Sequence, residues 1–173
     1  NFDGLHRSHQ KLLRLAQSYK KKYNLKIGVI NFNPMPKMFF NRNLKNFRLS
    51  NINQKIKLLN KFKVDFVITK KFDYKFSKTK SIVFIKEILN KKLNSKFIFV
   101  SNNFRFGNKR EGNVNLLIKN EKTYNYKVVK PKPLINNKMI VSSSLIRNLL
   151  ENGFLEKANK LLNRNWAIQG IVK

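Results

Sequence analysis

His6 and His9 are the only two histidines in a chain of 173 residues, and they stand three positions apart. On a helix that spacing puts both imidazoles on one face. The Asp3-Gly4 pair just ahead suits the turn from which such a helix would start. A first helical turn carries N–H groups without intrahelical partners and the positive end of the helix dipole, a setting that suits a bound phosphate. Two imidazoles beside it would cradle the phosphates of a nucleotide. The same spacing also occurs in histidines that merely pack or face solvent, so the pair decides nothing alone.

A second stretch offers related chemistry. Ser142-Ser143-Ser144 precedes an apolar helical pattern with Arg147 one turn on. Hydroxyls and free amides at a helix start, followed by a guanidinium, form a phosphate clamp. An ordinary serine cap with a solvated arginine would read the same.

The elements needed to position these groups alternate. Leu12, Leu13, Leu15, Ala16 and Tyr19 predict a helix from His6 to about Lys22, closed by Lys20, Lys21 and Lys22. A buried strand is expected at 26–32, followed by a loop at Asn33-Pro34-Met35-Pro36, where proline interrupts regular structure. Ser50 or Asn51 can cap a helix to about Phe62 with Ile52, Ile56, Leu58 and Leu59 inside. Strands are expected at 64–69, 97–100 and 124–129, a loop at 70–76, and a helix capped by Ser77 running to about Leu93. Gly153 ends one late helix and 154–162 forms another. This order predicts an α/β fold: a Rossmann-like, mostly parallel sheet flanked by helices, with ligands bound at strand C-terminal ends.

Composition narrows the class. The length suits one domain, and no apolar run approaches the ~18 residues that span a membrane. There is no cysteine, hence no disulfide framework and no thiolate metal site; a cytoplasmic protein fits. The net charge of +30 comes from lysines spread along the whole chain, beside abundant Asn, Ile and Phe. All four are coded by A/T-rich codons, so codon bias explains the charge without selection for nucleic-acid binding, and no specific nucleic-acid partner is expected.

The wording of six segments points further. Asn1-Phe2-Asp3-Gly4-Leu5-His6-Arg7-Ser8-His9-Gln10 resembles the GNFDGxHxGHQ opening of bacterial FAD synthetases, with the HxGH signature of the nucleotidyltransferase superfamily; Ser8 stands where the pattern has Gly. Phe32-Asn33-Pro34-Met35-Pro36 is similar to the family's F-x-P-H-P loop, and Arg48-Leu49-Ser50 to its R-L-T. Ser101-Asn102-Asn103-Phe104-Arg105-Phe106-Gly107 resembles G-x-[ND]-F-R-F-G, with Ser101 again replacing Gly. Residues 141–147 resemble [VI]-S-S-[TS]-x-[IV]-R, and 166–173 the linker and first strand of a riboflavin kinase domain.

That resemblance implies an FMN adenylyltransferase domain over residues 1–165, lacking its first strand, and the start of a truncated riboflavin kinase domain at 166–173. It implies transfer of AMP from MgATP to FMN, giving FAD and pyrophosphate. His6, His9 and Arg147 would be catalytic; Phe2, Asp3, Gly4, Ser8, Ser143 and Ser144 would bind ATP. Pro34, Phe40, Arg48, Asn103 and Arg105 would bind FMN. With eight acidic residues in the chain, Mg²⁺ is expected on the phosphates rather than in a protein cage. Ser8 is expected to crowd the nucleotide. The alternatives are another HxGH adenylyltransferase with a different phosphorylated substrate, a basic RNA-binding module, and a decayed copy; the oligomeric state is left open.

Overall fold

The computed structural model describes residues 2–44, 48–136 and 138–169. It opens with a 3-10 turn at Asp3–Leu5, and helix α1 runs Arg7–Tyr23. The helix starts later than Asp3-Gly4 suggests. Phe2, Gly4 and Leu5 all have positive φ, so the chain is not α-helical until His6 has served as N-cap. At Gly4, with φ 72°, a Cβ would stand 2.7 Å from Leu49 Cδ1, so glycine relieves both strain and crowding. Gln10, Leu13 and Ala16 face inward, and the three lysines close the last turn as expected.

Strand β1, Gly28–Asn33, leads into a short helix α2, Pro36–Phe40. The sequence suggested only loop here. Pro36 is instead the first helical residue, where a missing N–H breaks no intrahelical bond. Helix α3, Ile52–Lys61, opens with a full capping box between Asn51 and Gln54. Its buried residues are Lys55 and Leu59, whereas Ile56, expected inside, is exposed. Strand β2, Phe66–Lys71, pairs with β1, and Gly28 leaves room for the Phe66 ring across that pair.

Ser77 is not a helix cap. Asp73 takes that role for the short α4, Tyr74–Ser77, accepting from the Phe76 amide, while the Ser77 hydroxyl donates back to the Tyr74 carbonyl. Helix α5, Ser81–Val83, continues as a π-helical stretch, Phe84–Lys92. Next come β3 (Phe97–Phe99), β4 (Arg105–Phe106), β5 (Gly112–Asn113), α6 (Val114–Lys119), α7 (Glu121–Tyr124) and β6 (Lys127–Val129). The strand expected from Tyr124 thus begins three residues later, because α7 takes Tyr124 and Asn125 turns left-handed behind it. The chain closes with β7 (Ile135–Asn136), β8 (Met139–Ile140), α8 (Ser143–Glu151) and α9 (Leu155–Leu162), with Gly153 at φ 76° between the last two helices.

The chain divides into two compact units, residues 1–70 with 134–173, and residues 71–133. In the first, Leu5, Leu13, Val29 and Leu59 form one core, joining the opening turn, α1, β1 and α3. Leu49, Val141, Ile146, Ala158, Leu161 and Leu162 form another under α8 and α9. The Gln10 side chain donates to the carbonyls of Leu5 and Leu162, linking α1 to the end of α9. Trp166 packs against the second core and its indole N–H donates to the Leu49 carbonyl. Residues 170–173, part of the segment resembling a kinase strand, lie outside the described residues.

In the second unit β3 pairs parallel with β6, Ile98 opposite Val128. β4 pairs antiparallel with β5, and the rings of Phe84, Phe104 and Phe106 pack together beside it. The architecture is mixed α/β with parallel strands flanked by helices, as expected. Among the described residues, each strand pairs with a single neighbour.

Candidate active site

The opening turn and the start of α8 are tied together by hydrogen bonds. Arg147 donates to Asp3 Oδ2 at 2.7 Å, and the Ser143 hydroxyl donates to the Asp3 carbonyl at 2.9 Å. Ser142 caps α8 by accepting from the Leu145 amide, as its position predicts. Asp3 is 3% exposed, and its carboxylate also accepts from the Leu49 amide. A buried carboxylate is tolerated here because guanidinium and amide partners surround it. Asp3 therefore joins the turn before α1 to the start of α8.

Between these elements lies an open cavity of about 220 Å³. Phe2, Asp3, His9, Ser143 and Arg147 line it. Met35 and Lys37, from the start of α2, complete its wall. This volume is below the roughly 300–1,000 Å³ that encloses a whole drug-sized ligand and suits a polyphosphate tail. Phe2, Asp3 and Ser143 are among the residues expected to bind ATP, and His9 and Arg147 among those expected to be catalytic; the sequence did not single out Lys37.

The histidines stack on one another with centroids 3.7 Å apart and planes 21° from parallel, and Phe2 lies 4.9 Å from the His9 ring. His9 reaches the cavity, whereas His6 is buried against it at 4% exposure. Burial drives the His6 pKa down to about 4, partly opposed by Asp3, and drives His9 well down too, reinforced by His6 and Lys55. Both rings are thus neutral at pH 7, each with one N–H to donate. Neither Nδ1 has a hydrogen-bond partner among the described residues.

A pH dependence follows from His6. The unfolded chain binds its proton near pH 6.5, the folded chain only near pH 4, so stability falls as pH drops through that window. His6 alone should cost about 3 kcal/mol by pH 4. Urea midpoints from pH 7 to 4.5 check this, with a shallower slope expected in His6→Asn.

Lys55 escaped the sequence reading. It is 5% exposed on the inner side of α3, with its pKa lowered by burial and by Arg48 and raised by Asp3. The signal was present: positions 52, 55 and 59 share a helix face, and one carries a lysine among apolar residues. Asn31, buried on β1 with Oδ1 unpartnered among the described residues, also escaped.

The remaining expected residues stand as follows. Ser144 is exposed one residue beyond Ser143. The Ser8 hydroxyl donates to the Val141 carbonyl at 2.8 Å, and the Gly4 amide reaches Ser50 Oγ at 3.4 Å. Arg48 donates to Asn33 Oδ1 at 2.6 Å, beside Pro34 in the loop after β1, and its Nε is buried without a partner among the described residues. Phe40 is 70% exposed, edge-on to Phe39. In the second unit Asn103 and Arg105 are both exposed; Asn103 Oδ1 accepts from the Ser101 hydroxyl, and Arg105 sits on β4 opposite Asn113. No cluster of three or more His, Asp or Glu side chains that could hold a metal is present among the described residues.

The family model for FAD synthetase matches residues 1–145, which contain the opening turn, both histidines and the first residues of α8. The chain belongs to the FAD synthetase family. Its similarity to bifunctional riboflavin kinase/FMN adenylyltransferases is 42% identity over 99% of the chain for the Buchnera aphidicola (Schizaphis graminum) protein, and 34% over 99% for that of Escherichia coli. The chain spans about half, 55%, of each of those two proteins. A FAD synthetase of Listeria monocytogenes is 30% identical over 99% of the chain and is spanned to 70% of its length. Arg147 lies beyond the family match but within the span of these relatives.

A solved structure named as a macrolide-efflux protein from Streptococcus pneumoniae superposes with a TM-score of 0.80 at 25% identity, covering 98% of this chain and 58% of that one. No helix among the described residues of this FAD synthetase family member is long and apolar enough to cross a membrane.

Proposed function

We propose that this chain transfers AMP from MgATP to FMN, giving FAD and pyrophosphate. A phosphate oxygen of FMN attacks the α-phosphorus of ATP, the bond from that phosphorus to the bridging oxygen breaks, and pyrophosphate leaves with the electron pair. Such a transfer needs alignment and charge stabilisation more than a covalent partner. The observation that carries the reading is the cavity where His9, Ser143 and Arg147 converge between the starts of α1 and α8. Helix N-termini, a guanidinium and Lys37 favour the triphosphate. Neutral His9 donates to the charge that builds on the transferring phosphate, and His6 backs its ring.

Mg²⁺ enters with ATP. Asp3, the one carboxylate lining the cavity, is committed to Arg147 and the Leu49 amide, so phosphates and water hold the metal. Pro34, Phe40, Arg48, Asn103 and Arg105 are proposed for FMN. The protein carrying this chain acts in the cytoplasm, and its remaining length phosphorylates riboflavin to supply FMN. Its charge gives only weak, sequence-blind nucleic-acid binding that falls steeply with salt.

The test offers purified full-length protein MgATP with FMN, nicotinate mononucleotide or phosphopantetheine. FAD should form with FMN alone. Turnover of another acceptor with FMN inert would replace the flavin reading by a different adenylyltransferase.

A further inference from the structure

We propose that Ser8 is a positioning residue, a tether that locks the start of α8 onto the first turn of α1 so that both helix N-termini address one triphosphate. This rests on the adenylyltransferase reading for its effect on ATP, but the tether itself does not.

Among the described residues, hydrogen bonds from Ser143, Arg147 and Ser8 join these elements. The first two reach Asp3 in the turn before α1. The third runs from the Ser8 hydroxyl to the Val141 carbonyl at 2.8 Å and is the one anchored on α1 itself. Ser8 stands between the two histidines in sequence, so it fixes their helical turn directly against the residue before the Ser142 cap. Val141 is 2% exposed, lies in the core under α8 and donates its own N–H to the Leu134 carbonyl. Both ends of its backbone are thus held, and Ser8 supplies one of them.

On this proposal the hydroxyl serves the tether rather than a phosphate. A hydroxyl has one proton, and a phosphate needs donors. That proton is given to Val141 in this structure. The crowding expected from a side chain at this position is therefore replaced by a link.

The test uses full-length Ser8→Ala, Ser8→Gly and Ser8→Thr. Amide hydrogen exchange over 142–146 should quicken about tenfold in Ser8→Ala and Ser8→Gly and return to the original rate in Ser8→Thr. The KM for ATP should rise about fivefold in the first two, the loss of roughly one hydrogen bond, with kcat for FAD little changed and rescue by threonine. Unchanged exchange in Ser8→Ala overturns the tether. Faster exchange with an unchanged or lower KM overturns its role in binding ATP, as does a KM rise that threonine fails to rescue. Should the unaltered protein make no FAD, the adenylyltransferase reading falls, and exchange with calorimetric MgATP binding decides the tether.

Discussion

Replacing His9 with asparagine in the full-length protein is expected to lower kcat for FAD formation by about 10²–10³, the usual cost of removing one preorganised donor from a developing charge. His9 lines the cavity, whereas His6 lies behind it, stacked at 3.7 Å. His9→Asn should therefore act mainly on kcat, with KM for ATP changing little. His6→Asn removes a buried ring that stacks on His9 and leaves a gap in its place, so it should lower kcat less and the melting temperature more. Equal losses from both, with unchanged stability, would show that the two rings touch the phosphates alike.

Arg147→Ala has the second large effect, and it falls on folding as well as on ATP. The Arg147 and Asp3 side chains are 15% and 4% exposed. Removing the guanidinium leaves the buried Asp3 carboxylate with the Leu49 amide as its hydrogen-bond donor among the described residues. Breaking a buried pair from one side costs about 3–5 kcal/mol, mostly the penalty of the charge left behind. Urea unfolding should show a loss in that range, at its lower end because the pair is not fully dry. Adding Asp3→Asn to Arg147→Ala removes the stranded charge and should recover part of the stability but none of the ATP affinity. A double variant no more stable than Arg147→Ala would show that the pair carries little of this energy.

Much of this was legible in the residues. α1 and α3 announce themselves by apolar spacing and by the Asn51-Gln54 box, and Ser142 caps α8 where hydroxyls precede an apolar helical pattern. The strand cores at 28–33, 66–71 and 97–99 follow from short β-rich runs. Other features depend on competition that pattern does not reveal. Ser77 ends the short α4 and the longer helix after it opens at Lys80 without a side-chain cap, while Pro36 opens a helix rather than preventing one. Phe2, Gly4 and Leu5 turn left-handed to bring Asp3 under α8, and only Gly4 hints at it.

The site shows the same division. His9, Ser143 and Arg147 were visible as residue types at helix starts. Asp3 looked like turn chemistry, and its buried pairing with Arg147 across 144 positions depends on tertiary structure. Lys55 was hidden because lysine on a helix is ordinarily solvated. Arg48, Asn103 and Arg105, proposed above for FMN, were raised by resemblance, since their own spacing carries no comparable signal.

The most direct test of the central claim follows the phosphorus of ATP. Full-length protein is given FMN and Mg²⁺ with ATP labelled at either the α- or the γ-phosphate, and flavin and phosphate products are separated. The account predicts that α-label appears in FAD, one AMP per FMN consumed, while γ-label appears only in pyrophosphate. Label from the γ-phosphate on the flavin, or its release as orthophosphate in step with FMN consumption, would contradict attack at the α-phosphorus and with it the role given to the cavity between α1 and α8.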